Sequence, residues 1–202
     1  RILGLTFTNK AAAELGQRIR ASLETLGVDH AEAGWGEVTA STYHAFAGSL
    51  IAEHGLRLGV EPDLRVVTDA SRFQRFARAV ESYEGTLDLV TTYVPRLVPD
   101  AMKLDSELSE HLVSPEALRA YDASVVAAVS DQKVVASAAA TARKRTELSM
   151  LVDAYRLAKL SDGVMDFSDQ MAWGAQLAML PEVRDSMLEK YDVVLLDEYQ
   201  DT

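Results

Sequence analysis

Tyr191-Asp192-Val193-Val194-Leu195-Leu196-Asp197-Glu198-Tyr199-Gln200-Asp201-Thr202 decides how this chain is read. Val193 to Leu196 are consecutively apolar and two of them are β-branched, the pattern of a parallel strand buried on both faces. The strand delivers two adjacent carboxylates at its carboxyl end, where open α/β sheets bind ligands. A hard oxygen ligand there suits Mg²⁺ carried by a nucleotide, and a neighbouring carboxylate can orient and deprotonate a water that attacks the terminal phosphate. Asp197 is therefore the candidate metal ligand and Glu198 the candidate base.

The amino-terminal end repeats the arrangement. Ile2-Leu3-Gly4-Leu5-Thr6-Phe7 is a short, largely apolar strand, and Thr8-Asn9 follows with the residue types that open helices. Ala11, Ala12, Leu15, Ile19, Leu23 and Leu26 then recur at helical spacing until Gly27 supplies a stop. Read alone, Phe7 at the end of a strand is a core residue.

A third strand and helix follow. Glu37-Val38-Thr39-Ala40-Ser41 predicts a strand, and Thr42-Tyr43-His44-Ala45-Phe46 leads into a helix with Phe46, Ala47, Leu50 and Ile51 on one face and Gly55 at its end. Read alone, His44 is a surface or helix-capping histidine. With four His and no Cys in the chain, a zinc site has little support.

These three segments together carry a resemblance. DEYQDT resembles motif II, the Walker B box, of superfamily 1A DNA helicases of the UvrD/PcrA/Rep kind. LTFTNKAAAEL is similar to motif Ia of the same family, and STYHAF to its Thr-Phe-His-Ser box, motif Ic. The resemblance implies a RecA-like P-loop NTPase motor domain built on a parallel sheet, with ATP and Mg²⁺ as cofactors. It assigns Glu198 and Gln200 to catalysis and Asp197 to the metal. It also turns Phe7 into an aromatic face for a base of single-stranded DNA, with Thr8, Asn9 and the helix amino terminus on a phosphate. Lys10 joins them as a local positive charge, and Thr42, Tyr43 and His44 lie along the strand. Tyr43 stands where Phe is commoner and Ala45 where the family has Ser, so an aromatic platform is kept and a hydroxyl is lost. The stretch TYHAFAGSLIAEHGLRLGVEP is similar to actinobacterial AdnAB-like helicase-nucleases, which implies a helicase-nuclease partner subunit.

Composition frames the reading. A chain of 202 residues that is 48% hydrophobic can bury a substantial core. It contains no apolar run long enough to span a membrane and no visible signal peptide, so a cytoplasmic protein with no membrane partner is expected. A net charge of −11 opposes an all-over electrostatic grip on DNA. Stacking and helix termini need only a local positive groove, for which Lys10, Arg18, Arg20 and the Arg143-Lys144-Arg145 cluster are candidates. That last cluster also reads as a solvated helix face.

The middle of the chain reads differently. Leu64-Arg65-Val66-Val67 leads through Thr68-Asp69, a plausible cap, to Phe73, Phe76, Ala77, Val80 and Tyr83 at helical spacing. Gly85, Pro95, Pro99 and Pro115 punctuate short segments, and residues 116 to about 160 predict long helices. The expected organisation is motor domain 1A over residues 1–69, a helical insertion at 70–165 between two strands of one sheet, and a return of domain 1A at 166–202. In the resembling helicases a helical subdomain, 1B, is inserted at this point. Asp166 opens the return as an N-cap with Asp169 three residues on, a capping box in which Ser168 departs from the family's Asp-Phe-Asp-Asp.

No G-x-x-x-x-G-K-S/T phosphate loop occurs in the chain. Arg1 is no natural start and Thr202 ends inside a motif, so the sequence is expected to be an internal piece of a helicase, inactive by itself. Its parent would couple ATP hydrolysis to movement on single-stranded DNA and unwinding of duplex DNA, in repair or recombination, together with the remainder of the same polypeptide. One alternative is a non-catalytic DNA- or partner-binding module that keeps the fold. A further one is a metal hydrolase built on Asp197, Glu198 and Asp201.

Overall fold

A computed structural model describes residues 1–26, 38–128 and 133–201, apart from the side chains of 133–135 and 201. Gly27, Glu37 and Thr202 lie outside the described residues, as does the side chain of Asp201. In chain order the elements are β1 (Ile2–Thr6), α1 (Asn9–Thr25), β2 (Val38–Thr42), α2 (Tyr43–His54), β3 (Arg65–Val66), α3 (Asp69–Glu81) and α4 (Val94–Glu110). There follow α5 (Pro115–Ala127), α6 (Lys133–Ser161), β4 (Val164–Met165), α7 (Phe167–Met179), α8 (Pro181–Lys190) and β5 (Val193–Leu196). They divide into two compact units, Arg1–Asp63 with Trp173–Thr202, and Leu64–Ala172.

The first unit holds a parallel sheet in the order β2-β1-β5. Parallel neighbours need a crossover, and α1 supplies the one between β1 and β2. It packs closely because Gly4 of β1 admits the Leu15 side chain and Gly16 of α1 lies against Ala40 of β2. A Cβ on Gly4 would sit 2.8 Å from Leu15, and one on Gly16 would sit 3.2 Å from Ala40. Register then does the positioning. Thr6 pairs with Thr42 and Leu5 with Leu196, so Thr6, Thr42 and Asp197 all reach the carboxyl edge of the sheet together. At the other edge the Arg1 guanidinium donates to both Asp192 oxygens at 3.3 and 3.1 Å, and this pairing holds the Asp192 carboxyl down at about 2.

β5 corrects one expectation. Its four residues are 41–53% exposed rather than buried on both faces. Among the described residues β1 is its one neighbour in the sheet, and an open trough of roughly 500 Å³ separates Leu195 and Leu196 from Leu15, Ile19 and Leu23 of α1. Leu26, read as part of the apolar face of α1, is also exposed at the end of that helix.

Helix α7 meets α2 without an intervening side chain. A Cβ on Gly174 would lie 2.6 Å from the Ala47 Cβ and 3.0 Å from its Cα, distances that only backbone movement can relieve. Gly174→Ala is therefore expected to destabilise the first unit by about 1–3 kcal/mol, the usual scale of overpacking. Thermal unfolding checks this, and an unchanged midpoint would show that the two helices part freely.

The second unit is helical, closed at its two ends by a parallel pair of its own, β3 with β4. The helices of the insertion are thus bounded by the strands of a small sheet of their own, and in chain order the whole compact unit, which begins at Leu64 and runs on to Ala172, falls between β2 and β5 of the main sheet. The prolines do not cut the chain into short segments as expected. Pro95 occupies the first turn of α4, where its missing N–H costs nothing, and Pro99 lies within the same 17-residue helix. Pro99 cannot donate to Pro95, but burial of Leu97, Val98 and Ala101 holds the helix across the lost bond. These residues share one core with Phe76, Leu151, Val152 and Tyr155, and α6 packs against α3, α4 and α5.

Inside that core lies a charge-balanced cluster that periodicity does not reveal. Asp105 accepts from Arg72 at 2.9 Å and from Arg156 at 2.7 Å. Lys159, 3% exposed, donates to Asp166 at 2.9 Å and to both oxygens of Asp169 at 2.7 and 2.6 Å. Its ammonium also lies 4.5 Å from the ring centre of Tyr155, whose hydroxyl donates to Asp166 at 3.1 Å. Burial pushes the Asp166 carboxyl up, but Lys159, the amide of Asp169 and Arg72 together outweigh it and hold it below the usual range. The predicted capping box is present within this cluster. The Asp169 amide donates to Asp166 at 3.0 Å and the Asp166 amide donates to Asp169 at 2.9 Å.

Candidate functional site

The carboxyl edge of the main sheet gathers residues that are far apart in sequence. Thr6, 1% exposed, donates its hydroxyl to Asp197 Oδ2 at 3.1 Å, and the Asp197 amide donates to the Leu5 carbonyl at 2.9 Å. One carboxylate oxygen of Asp197 is thereby held and its ladder bond fixes the backbone. Glu198 follows at φ 55°, in the left-handed region that costs a side-chain-bearing residue energy and that clusters at functional sites. Gln200 donates its side-chain amide to Glu198 Oε2. Sequence reasoning alone misses Thr6. Its signal is the register, which places it beside Asp197, and a polar residue closing an apolar strand is the local hint.

The candidate aromatic residues divide by depth. Phe7 is 42% exposed and its ring lies 5.0 Å from that of Tyr43, tilted by 51°. Tyr43 is 8% exposed and donates its hydroxyl to the Asp197 carbonyl at 3.0 Å. The open platform expected at Tyr43 is therefore corrected: β2 ends in a helix that turns this ring under Phe7, so Phe7 presents the exposed face.

Threonines cap both helices beside them. Thr8 is exposed and its Oγ1 accepts from the Ala11 amide at 3.1 Å, so the amides of Asn9 and Lys10 precede the first intrahelical bond of α1, from Ala12 to Thr8. Amides in that position are open to an anion. Lys10 is exposed and pairs with Glu14 one turn on, at 3.8 Å. Thr42 is buried, with Oγ1 accepting from the Ala45 amide at 3.1 Å, and His44 is half-buried at the start of α2. Of the other basic candidates, Arg18 lines the trough beside β5, whereas Arg145 is committed to Asp122 within the helical unit.

Asp197 and Thr6 offer hard oxygen donors of the kind Mg²⁺ prefers. Among the described residues no group of three or more His, Cys, Asp or Glu is placed to enclose an ion. A Mg²⁺ here would take Asp197 from the protein and its remaining ligands from phosphates and water, the usual arrangement for nucleotide-borne Mg²⁺. The donor set fits that group. The third carboxylate of the metal-hydrolase alternative, Asp201, has its side chain outside the described residues.

The profile of the UvrD/REP helicase N-terminal domain matches residues 1–202, the whole chain. The chain belongs to that family. Helicase N-terminal domains of this type are RecA-like, in accord with the mixed α/β architecture and parallel sheet. Among relatives, the chain is 24% identical over its full length to DNA helicase II of Rickettsia typhi, covering 26% of that protein. It is 27% identical, again over its full length, to the ATP-dependent DNA helicase PcrA of Leuconostoc citreum, covering 23% of it. It is also 32% identical over 51% of its length to an ATP-dependent helicase/nuclease subunit of Pelotomaculum thermopropionicum, covering 10% of that protein. The chain thus spans about a quarter of the length of the curated helicase relatives that it matches over its full length. No described helix of this helicase domain is long and apolar enough to cross a membrane.

Proposed function

We propose that the chain is part of an ATP-dependent DNA helicase that couples hydrolysis to movement on single-stranded DNA and unwinding of duplex. The observation that carries this is the shared edge: Asp197 and Glu198 lie at the same end of the sheet as Phe7 and the amino terminus of α1, joined through Thr6 and Tyr43. A bound Mg²⁺ would neutralise charge on the phosphates of ATP. Asp197 holds the metal side, with Thr6 fixing one carboxylate oxygen. Glu198 takes a proton from the attacking water, and Gln200 orients it through the amide bonded to Oε2. The ATP phosphates themselves need a Gly-rich loop that these 202 residues do not contain, so the isolated chain is not expected to turn over ATP. Residues 1–69 and 166–202 serve as motor domain 1A and the helical stretch between them as 1B. Any nuclease partner and a cytoplasmic setting belong to the same reading.

On the DNA side, Phe7 stacks on a base while the amides of Asn9 and Lys10 and the hydroxyl of Thr8 face a phosphate, with His44 beside them. In the full-length polypeptide, Phe7→Ala is expected to weaken single-strand binding by about 1–3 kcal/mol, the scale of one lost base stack. A buried core Phe would instead cost about 3–5 kcal/mol of stability. Fluorescence anisotropy with an oligonucleotide, set beside thermal melting, separates the two. Wild-type affinity in a folded variant would remove Phe7 from the interface and with it this reading of the edge.

A further inference from the structure

Tyr43 is buried, yet it touches both halves of the site. Its ring is covered by the exposed ring of Phe7 at 5.0 Å, and its hydroxyl donates to the carbonyl of Asp197 at 3.0 Å. That carbonyl belongs to the peptide joining Asp197 to Glu198. Rotating this peptide changes ψ of Asp197 and φ of Glu198 together, and φ of Glu198 is 55°, a conformation a glutamate does not keep without support. The Leu5 carbonyl, by accepting from the Asp197 amide at 2.9 Å, anchors the peptide before it. Thr6 anchors the Asp197 carboxylate at 3.1 Å. The Tyr43 hydroxyl bonds the carbonyl that lies between the metal-side residue and the base.

We infer that Tyr43 is a positioning residue whose hydroxyl transmits occupancy of the Phe7 face to the Asp197-Glu198 peptide, and so couples single-stranded DNA binding to nucleotide binding. This rests on the helicase reading given above. A base that stacks on Phe7 presses on the Tyr43 ring through the tilted contact. The ring is stiff, so a displacement at its face reaches the hydroxyl at its far end. The carbonyl it holds then sets whether Glu198 stays in its left-handed conformation, with Gln200 bonded to it. Two arrangements of one peptide, biased from both sides, are what a coupling free energy requires, and such coupling is reciprocal.

Tyr43→Phe tests this with the smallest possible change, since it keeps the ring against Phe7 and deletes only the hydroxyl. The measurement is the single-strand dissociation constant of the full-length polypeptide without nucleotide, divided by that with a saturating non-hydrolysable ATP analogue and Mg²⁺. Because the result is a ratio, any loss of DNA affinity common to both conditions cancels. The wild type is expected to show a ratio of about 5–150 in either direction, the usual range of allosteric coupling. In Tyr43→Phe the ratio should fall to within about twofold of one, and Tyr43→Trp, which restores a ring N–H donor, should recover part of it. DNA stimulation of ATP turnover should fall in parallel. A Tyr43→Phe ratio equal to a wild-type ratio that differs from one overturns the proposal while leaving the helicase reading in place, and so does a wild-type ratio of one. A wild-type protein that binds neither single-stranded DNA nor nucleotide overturns the helicase reading itself, and the coupling with it.

Discussion

Glu198→Gln in the full-length polypeptide is expected to bind ATP as the wild type does and to turn it over more slowly by about 100-fold or more, the scale of losing a general base. The amide keeps the shape of the carboxylate and can still meet Gln200, but it cannot take a proton from water. Asp197→Asn should behave differently. A neutral amide is a poorer ligand for a hard cation, so Mg²⁺-dependent nucleotide affinity should fall along with turnover. The backbone explains why neighbours divide the work. Asp197 continues the ladder and is held by Thr6, whereas Glu198 turns away at φ 55°. Equilibrium ATP binding and single-turnover hydrolysis, both with saturating DNA, distinguish the two variants. Near-wild-type hydrolysis by Glu198→Gln would sink the assignment of the base.

Lys159→Ala should destabilise the helical unit by about 3–5 kcal/mol, because removing one partner of a buried pair leaves the others charged and unsolvated. Here the abandoned groups are Asp166 and Asp169, and Tyr155 loses the cation 4.5 Å from its ring. The double substitution Lys159→Met with Asp169→Leu removes a charge of each sign, and should recover part of the loss. Urea denaturation of the single and double variants measures both effects. A loss of under about 1 kcal/mol for Lys159→Ala would mean that the cluster behaves like a solvated surface pair.

Local chemistry made some elements legible. Thr8 and the Asp166-Asp169 box announce helix starts through residue type and spacing and are bonded to the expected turn, whereas Thr68, also read as a cap, holds the N-cap position of α3 with no side-chain bond to it. Val193 to Leu196 announce a strand but not its surroundings, since an apolar run says what a strand prefers and not how many neighbours it has. Pro95 and Pro99 misled, because the cost of a proline inside a helix is outweighed by packing around Leu97 and Val98 that no local rule sees. The ion cluster was illegible for another reason. Arg72, Asp105, Arg156 and Lys159 singly read as solvated charges, and they meet the Asp166-Asp169 box only through tertiary folding. The same applies at the sheet edge. Motif resemblance marked Asp197 and Tyr43, whereas the bonds from Thr6 and from the Tyr43 hydroxyl follow from strand register and burial.

The small β3-β4 pair has a consequence for how the chain comes to fold. β1 must pair with β5, which is synthesised only after the whole helical stretch, and such long-range parallel pairing is intrinsically slow. The helices themselves are held by hydrogen bonds between near neighbours in sequence, which form fast. Once Arg65 and Val66 lie beside Val164 and Met165, the two ends of the helical stretch are adjacent strands. The loop that β1 and β5 must close is then shorter by the residues between those strands, and each halving of a loop lowers its closure cost by about 0.6 kcal/mol. A strand pair that forms before the main sheet would act as a clasp, and in that case a mutation that melts it is expected to slow completion of the main sheet while leaving every contact of that sheet intact.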